Sequence, residues 1–197
     1  MHKTVEFFFD VGSPATYLAW TQLPRIAATA GARIIWRPML LGGVFKATGN
    51  QSPVAIPSKG RYMLQDLDRF ARRYGVLMAF NPHFPINTLT LMRGAAGYLD
   101  SEHLQTYLQA VFEAIWVRQQ NLGKPEIVAE VLGAAGLDSA EFERLISDEA
   151  VKQRLKDNTE EAVKRGVFGA PTFFVGSEMH FGQDRLDFVA EALARPN

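Results

Sequence analysis

The two ends of this 197-residue chain read as strands, and the long stretch between them reads as helix. That order constrains the fold more than any composition figure. At the N-terminal end, residues 4–10 (TVEFFFD) form a short aromatic run of strand type that ends at an acid. Gly12-Ser13-Pro14 makes a sharp turn, and Pro14 suits the first turn of a helix, where its missing N–H is not wanted. Residues 15–30 supply the helix, with Leu18, Leu23 and Ile26 among its apolar positions, and 33–37 (RIIWR) a second strand stopped by Pro38. A β-α-β unit of about 35 residues implies a parallel strand pair. At the other end, TFFV (172–175) and EMHF (178–181) flank Gly176-Ser177, which predicts a hairpin, with a last helix over about 184–194.

A loop from Gly42 to Lys59, rich in Gly, Pro and Asn, leads into the middle, where helices are predicted near 60–74, 88–98, 101–120, 124–135, 139–146 and 148–165. Ser101 and Asp138-Ser139 are start signals, and Gly75, Gly136 and Gly166 are stops. A βαβ unit separated from a ββα unit by helices predicts an α/β fold of thioredoxin type. Residues 1–42 and 166–197 would form the thioredoxin-like domain, and 43–165 an all-helical insertion.

Composition removes several functions. Lys+Arg and Asp+Glu both number 21, and Arg69, Arg72 and Arg73 sit among Asp66 and Asp68, so no basic patch marks a nucleic-acid or anionic-lipid partner. With zero cysteines, a disulfide framework, a thiolate zinc site and a cysteine nucleophile are all excluded. The four histidines lack metal-ligand spacing, so no metal is expected. Thiol chemistry would have to arrive with a small molecule. MHKTVEFFFD lacks the build of a signal peptide, and no apolar run approaches the ~18–20 residues of a membrane span, so a cytoplasmic location is expected.

Four segments carry candidate chemistry, each with a plainer structural use. Ser13, at the strand-to-helix corner Asp10–Pro14, either caps the helix or donates its hydroxyl to an anion held by the helix N-terminus. Without a base beside it, Ser13 is a poor nucleophile, so serving a bound thiolate is the better functional reading. Ala170-Pro171 precedes the hairpin; a cis bond would turn the Ala170 amide outward toward an extended peptide-like ligand, and a trans bond would simply start a strand. Phe181-Gly182-Gln183-Asp184 offers free N–H groups at 183 and 184 for a carboxylate and Asp184 for an ammonium, unless Asp184 is a helix cap. In the loop 49–59, Asn50 offers a donor and an acceptor and Lys59 a cation, unless the loop is merely solvated. Trp20, Trp36 and Trp116 read first as core, Asn87-Thr88 as a helix cap, and Arg37 and Arg93 as solvated or paired.

Together these segments resemble one family. VEFFFDVGSPATYLA (5–19), GNQSPVAIPSKGRYMLQDL (49–67), RGVFGAPTFFV (165–175) and HFGQDRL (180–186) are similar to the 2-hydroxychromene-2-carboxylate isomerases and kappa-class glutathione transferases, in the DsbA-like branch of the thioredoxin superfamily. The likeness runs over nearly the whole chain. It implies glutathione as cofactor, with Ser13 activating the sulfur and Ala170, before a cis Pro171, pairing with the cysteinyl part. It also implies that Phe181, Gly182, Gln183 and Asp184 hold the γ-glutamyl end, and that Asn50 and Lys59 lie near the thiol and the glycyl or substrate side. Gly12-Ser13-Pro14-Ala15 stands where a redox member would carry Cys-x-x-Cys, so disulfide exchange is excluded.

The implied reaction is cis-trans isomerisation between 2-hydroxychromene-2-carboxylate and trans-o-hydroxybenzylidenepyruvate in aromatic hydrocarbon catabolism. A transient glutathione adduct turns the double bond into a rotatable single bond. Phe45, Phe84 and Trp116, with Asn50, are expected to face the aromatic substrate, and a homodimer is the family expectation. FNPHFPINT (80–88) reads more like general and kappa-type members than like a dedicated naphthalene-pathway isomerase. Two alternatives therefore stand beside it: a kappa-type transferase or peroxidase acting on another electrophile, and a non-catalytic glutathione-binding module.

Overall fold

The computed structural model describes residues 3–195. Its sheet has the order β2-β1-β3-β4, built from β1 (Thr4–Phe9), β2 (Arg33–Pro38), β3 (Thr172–Val175) and β4 (Glu178–Phe181). The pair β1/β2 is parallel, with Phe7 opposite Trp36, whereas β3 runs antiparallel to both β1 and β4, with Phe7 opposite Phe173. The helix α1 (Pro14–Thr29) makes the crossover between the parallel strands. This is the mixed, thioredoxin-type sheet that the ends of the sequence imply.

Alternation along β1 sends its aromatic side chains to two faces. Val5, Phe7 and Phe9 join the main core, which runs under α1 and into the helical layer. Phe8 points the other way, into a smaller core with Phe174, Met39, Val44, Ala162 and Val167. At the edge of that smaller core, Arg165 lies 3.7 Å from the centre of the Phe174 ring and pairs with Glu6 at 2.9 Å. Burial pushes Glu6 up, but its pairs with Arg165 and Arg37 outweigh that and hold it below the usual carboxylate range.

The helical layer comprises α2 (Leu41–Thr48), α3 (Pro57–Tyr74), α4 (Leu89–Gly97), α5 (Leu104–Trp116), α6 (Pro125–Ala134), α7 (Ser139–Ser147) and α8 (Glu149–Lys164), and α9 (Leu186–Ala194) closes the chain. One expectation fails here: α2, and a 3-10 turn at Pro53–Ala55, lie in the segment read as loop. Gly42 and Gly43 depress helix propensity in the first turn of α2. The helix forms because Val44 is buried in the second core beneath the sheet, a long-range gain that composition does not show. α8 covers that same face through Ala162, while α4 packs against α7 and α8. Among the described residues no helix is long and apolar enough to cross a membrane.

Candidate active site

β1 and β2 end beside the N-terminus of α1, and the space outside those ends is a cleft of about 1200 Å³. Ser13 is the N-cap of α1 and is only 7% exposed. Its Oγ accepts from Thr16 N–H at 3.2 Å and donates to the Ala170 carbonyl at 3.1 Å. Capping and a place in the cleft are therefore both true of this hydroxyl. Pro14 has no N–H, and Val11 O, which the next amide would otherwise use, accepts from the Trp116 indole at 2.8 Å. The Ala15 N–H thus donates to no protein acceptor among the described residues. A capping hydroxyl and a free amide stand side by side at the positive end of a helix dipole, a setting that favours an anion.

Asp10 underpins this corner, although its sequence position suggested no role for it. It is 1% exposed, and its carboxylate accepts from Gly12 N–H (2.9 Å), Leu41 N–H (2.8 Å) and the Thr88 hydroxyl (3.1 Å). One side chain therefore ties the end of β1 to the starts of α2 and α4. Burial raises its pKa above the ordinary Asp value, while its hydrogen bonds from Leu41, Gly12 and Thr88 act in the opposite direction. Thr88 is the N-cap residue of α4, as expected of Asn87-Thr88, but the side-chain bond comes from Asn87, which accepts from Leu89 N–H at 3.0 Å, and the Thr88 hydroxyl goes to Asp10 instead. Gly12 is needed where it is, because a Cβ there would meet Thr88 Cγ2 at 2.7 Å.

Across the cleft, the Ala170–Pro171 bond is cis. Ala170 lines the space, whereas Pro171 is buried behind it with its carbonyl bound to Gly182 N–H at 2.9 Å. Gly182 has φ 95°, a left-handed conformation that suits glycine. The following N–H groups of Gln183 and Asp184 donate to no protein acceptor among the described residues. Gln183 is buried, and its Oε1 has no hydrogen-bond partner among the described residues; Tyr74 donates its hydroxyl to the Gln183 carbonyl at 2.9 Å. Burial, then the nearby Asp187 and Asp184 charges, push Tyr74 up to about 12, so it remains a donor at neutral pH. The Asp184 carboxylate faces the cleft and pairs with Arg185.

The rim carries Asn50, Lys59, Phe45 and Phe84, all of which line the cleft. The Asn50 amide is partly committed: its Nδ2 donates to Phe168 O at 2.8 Å and its Oδ1 accepts from Gln51 N–H at 2.8 Å. Trp116 is corrected. It lies fully buried outside the lining, with its ring centre 5.9 Å from that of Phe84, so it backs the aromatic wall and anchors Val11 without facing a ligand. The cleft thus gathers a helix-capping hydroxyl, free amides, the Lys59 cation and the carboxylates of Asp10, Asp66 and Asp184, of which Asp10 is buried and committed to its own hydrogen bonds. Such a set can meet both charges of a zwitterionic ligand and an anion at the helix N-terminus, on a thioredoxin sheet without cysteine.

The chain belongs to the DsbA-like thioredoxin family, whose domain model matches residues 4–194. Within it, the chain groups with enzymes. It is 33% identical to the 2-hydroxychromene-2-carboxylate isomerase of Pseudomonas putida over 97% of this chain and 94% of that one. It is 30% identical to rat glutathione S-transferase kappa 1, over 97% of this chain and 91% of the relative. A solved 2-hydroxychromene-2-carboxylate isomerase superimposes with a TM-score of 0.85 at 32% identity, covering 98% and 95% of the two chains. A probable DsbA oxidoreductase from Streptomyces coelicolor, 18% identical with a TM-score of 0.74 over 98% and 88% of the chains, shares the fold alone.

Proposed function

We propose that this chain is a glutathione-dependent isomerase interconverting 2-hydroxychromene-2-carboxylate and trans-o-hydroxybenzylidenepyruvate in aromatic hydrocarbon breakdown. The observation that carries the reading is Ser13. In a chain similar to named isomerases along nearly its whole length, a buried hydroxyl caps the helix at the cleft, and the chain has no cysteine of its own. The residues present fit glutathione: the buried, unpartnered Gln183 Oε1, the free amides of Gln183 and Asp184, and the Asp184 carboxylate suit an α-amino acid end, and Lys59 suits the far carboxylate. When bound, glutathione supplies a thiolate whose reversible addition to a conjugated double bond frees rotation about it.

The chain's own part is positioning. A free thiol of pKa ~8.5 must be held as thiolate, and the Ala15 amide with the α1 dipole favours that charge. Ser13 adds a hydroxyl donor by swinging its proton from the Ala170 carbonyl, 3.1 Å away, toward the sulfur. Asp10 keeps the corner fixed while this happens. Phe45 and Phe84 give the aromatic substrate an apolar wall.

The test follows the absorbance of 2-hydroxychromene-2-carboxylate as it approaches equilibrium, with purified protein and sub-stoichiometric glutathione. Fast interconversion that needs glutathione and leaves it unconsumed supports the isomerase. Glutathione that binds but does not accelerate the reaction refutes it. Stoichiometric consumption with an aryl halide would then select the kappa-type transferase reading, which the kappa relatives support.

A further inference from the structure

A second cavity, of about 710 Å³, lies outside the cleft, between α2, α4 and α8. Its apolar lining comes from Leu40 and Ala47 at α2, Leu89 on α4, and Leu155 and Val163 on α8. Gly43 lets α2 sit close on α8, since a Cβ there would stand 3.2 Å from Thr159 Cγ2. Its size falls in the range of small-molecule sites.

Arg93 on α4 sets this groove apart. Of the three half-buried arginines among the described residues, Arg37 pairs with Glu6 at 3.0 Å and Arg165 pairs with Glu6 at 2.9 Å and Glu161 at 3.3 Å. Arg93 has neither an ion pair nor a hydrogen bond among the described residues, although it lines the cavity four residues after Leu89. A guanidinium partly withdrawn from water is normally satisfied by an acceptor. Two of the other cations at the groove are already engaged, Lys152 by Glu149 at 2.6 Å and Lys156 by Glu160 at 3.8 Å, while Lys164, unpaired among the described residues, is exposed to solvent where Arg93 is half-buried. The two carboxylates in the lining are thus already engaged, and the groove is locally positive in a chain of zero net charge.

We propose that this groove is a second binding site, for a small amphipathic monocarboxylate, with Arg93 as its anchor. A planar guanidinium takes a carboxylate in two parallel hydrogen bonds, and the aliphatic lining takes an aromatic or alkyl body. The site is distinct from the cleft, which it meets only at Leu40, and the isomerase reading plays no part in the argument.

The probe is 2-naphthoate, titrated into isotopically labelled full-length protein and followed by amide NMR, with glutathione present to occupy the cleft. Saturable shifts are expected in 89–97 and 149–164, not in 168–184. Arg93→Gln should weaken binding about tenfold or more, Arg93→Lys should recover part of it, and neutral 2-naphthol should bind about tenfold more weakly than the acid. Lys59→Ala, at the cleft rim, should leave the titration unchanged, and Arg93→Gln should leave the fold and catalytic turnover unchanged. Shifts confined to the cleft, equal affinity for acid and alcohol, or an unaltered Arg93→Gln titration would each overturn the proposal.

Discussion

The two walls of the cleft are made in opposite ways. The inner wall, where β1 meets α1, is largely buried and closely hydrogen-bonded: Asp10 serves three donors, Ser13 two partners, and Trp116 fixes Val11 from behind, leaving the Ala15 amide free. The outer wall, from Gly49 to Met63 with Phe181 and Asp184 at the hairpin corner, is largely solvated, with Tyr62 at 61% and Phe181 at 40% exposure, although Gln183 between them is buried. The contrast separates holding a reacting atom, which needs groups that cannot relax, from recognising a substrate, which solvated side chains can do. Changes on the inner wall should act on turnover or stability, and changes on the rim on KM.

The largest effect should come from Ser13→Ala. With the hydroxyl donor gone, kcat/KM for isomerisation should fall by about 10²–10³-fold. Stability should drop by only about 1 kcal/mol, the loss of an N-cap. Unchanged turnover, measured at saturating glutathione, would remove the chemistry from the inner wall. Next in size, Asp10→Ala leaves Gly12 N–H, Leu41 N–H and the Thr88 hydroxyl without their acceptor. A loss of about 1–3 kcal/mol in denaturant unfolding is expected. The folded pKa of Asp10 lies above its unfolded value, because burial disfavours the charge. Its contribution is therefore fully present below the unfolded pKa and is lost as pH rises through the folded one. The gap between wild type and Asp10→Ala should be wider in acid, near about pH 4, than at neutrality; a gap that narrows in acid would contradict it.

The same contrast explains what the sequence revealed. Strand and helix periodicity was legible, since FFF in β1 and TFFV in β3 alternate into two cores that only a covered sheet provides. The glycine and proline turns at 12–14, 171 and 182 marked the cleft because backbone geometry is local. What the sequence hid depends on distant partners. The Ser13–Ala170 bond spans 157 positions and the Asn50–Phe168 bond 118, and no spacing announces them. Periodicity placed Trp116 on an apolar helical face, but not which neighbour would stand between it and the cleft; that neighbour is Phe84. Two glycines masked α2, and the place of Thr88 at the cap of α4 did not announce that its hydroxyl would serve Asp10.

Gly182→Ala probes where the two walls join. At φ 95° a new Cβ would stand 2.4 Å from Asp184 Oδ1, so either the backbone or the carboxylate must move. With ψ at 148° this is an extended positive-φ conformation kept almost entirely to glycine, and holding alanine there costs about 1–3 kcal/mol. The expected reading is a raised glutathione KM with a smaller change in kcat, because Asp184 is displaced while Ser13 stays in place. An equal fall in kcat would show that the hairpin corner belongs with the inner wall.

The smallest effect should come from Lys59→Ala. Lys59 is exposed, lines the rim and forms no ion pair among the described residues, so its removal leaves no buried group unsatisfied. An exposed cation meeting a ligand carboxylate contributes at most about 1 kcal/mol, so KM for glutathione should rise no more than about fivefold, with kcat and melting temperature unchanged. The interaction is screened, because the Debye length falls to about 3 Å at 1 M salt. Raising ionic strength should therefore increase the wild-type KM toward that of Lys59→Ala while leaving the variant nearly insensitive. If salt moves both enzymes equally, the charge that meets the ligand lies elsewhere, and the rim recognises its substrate by shape instead.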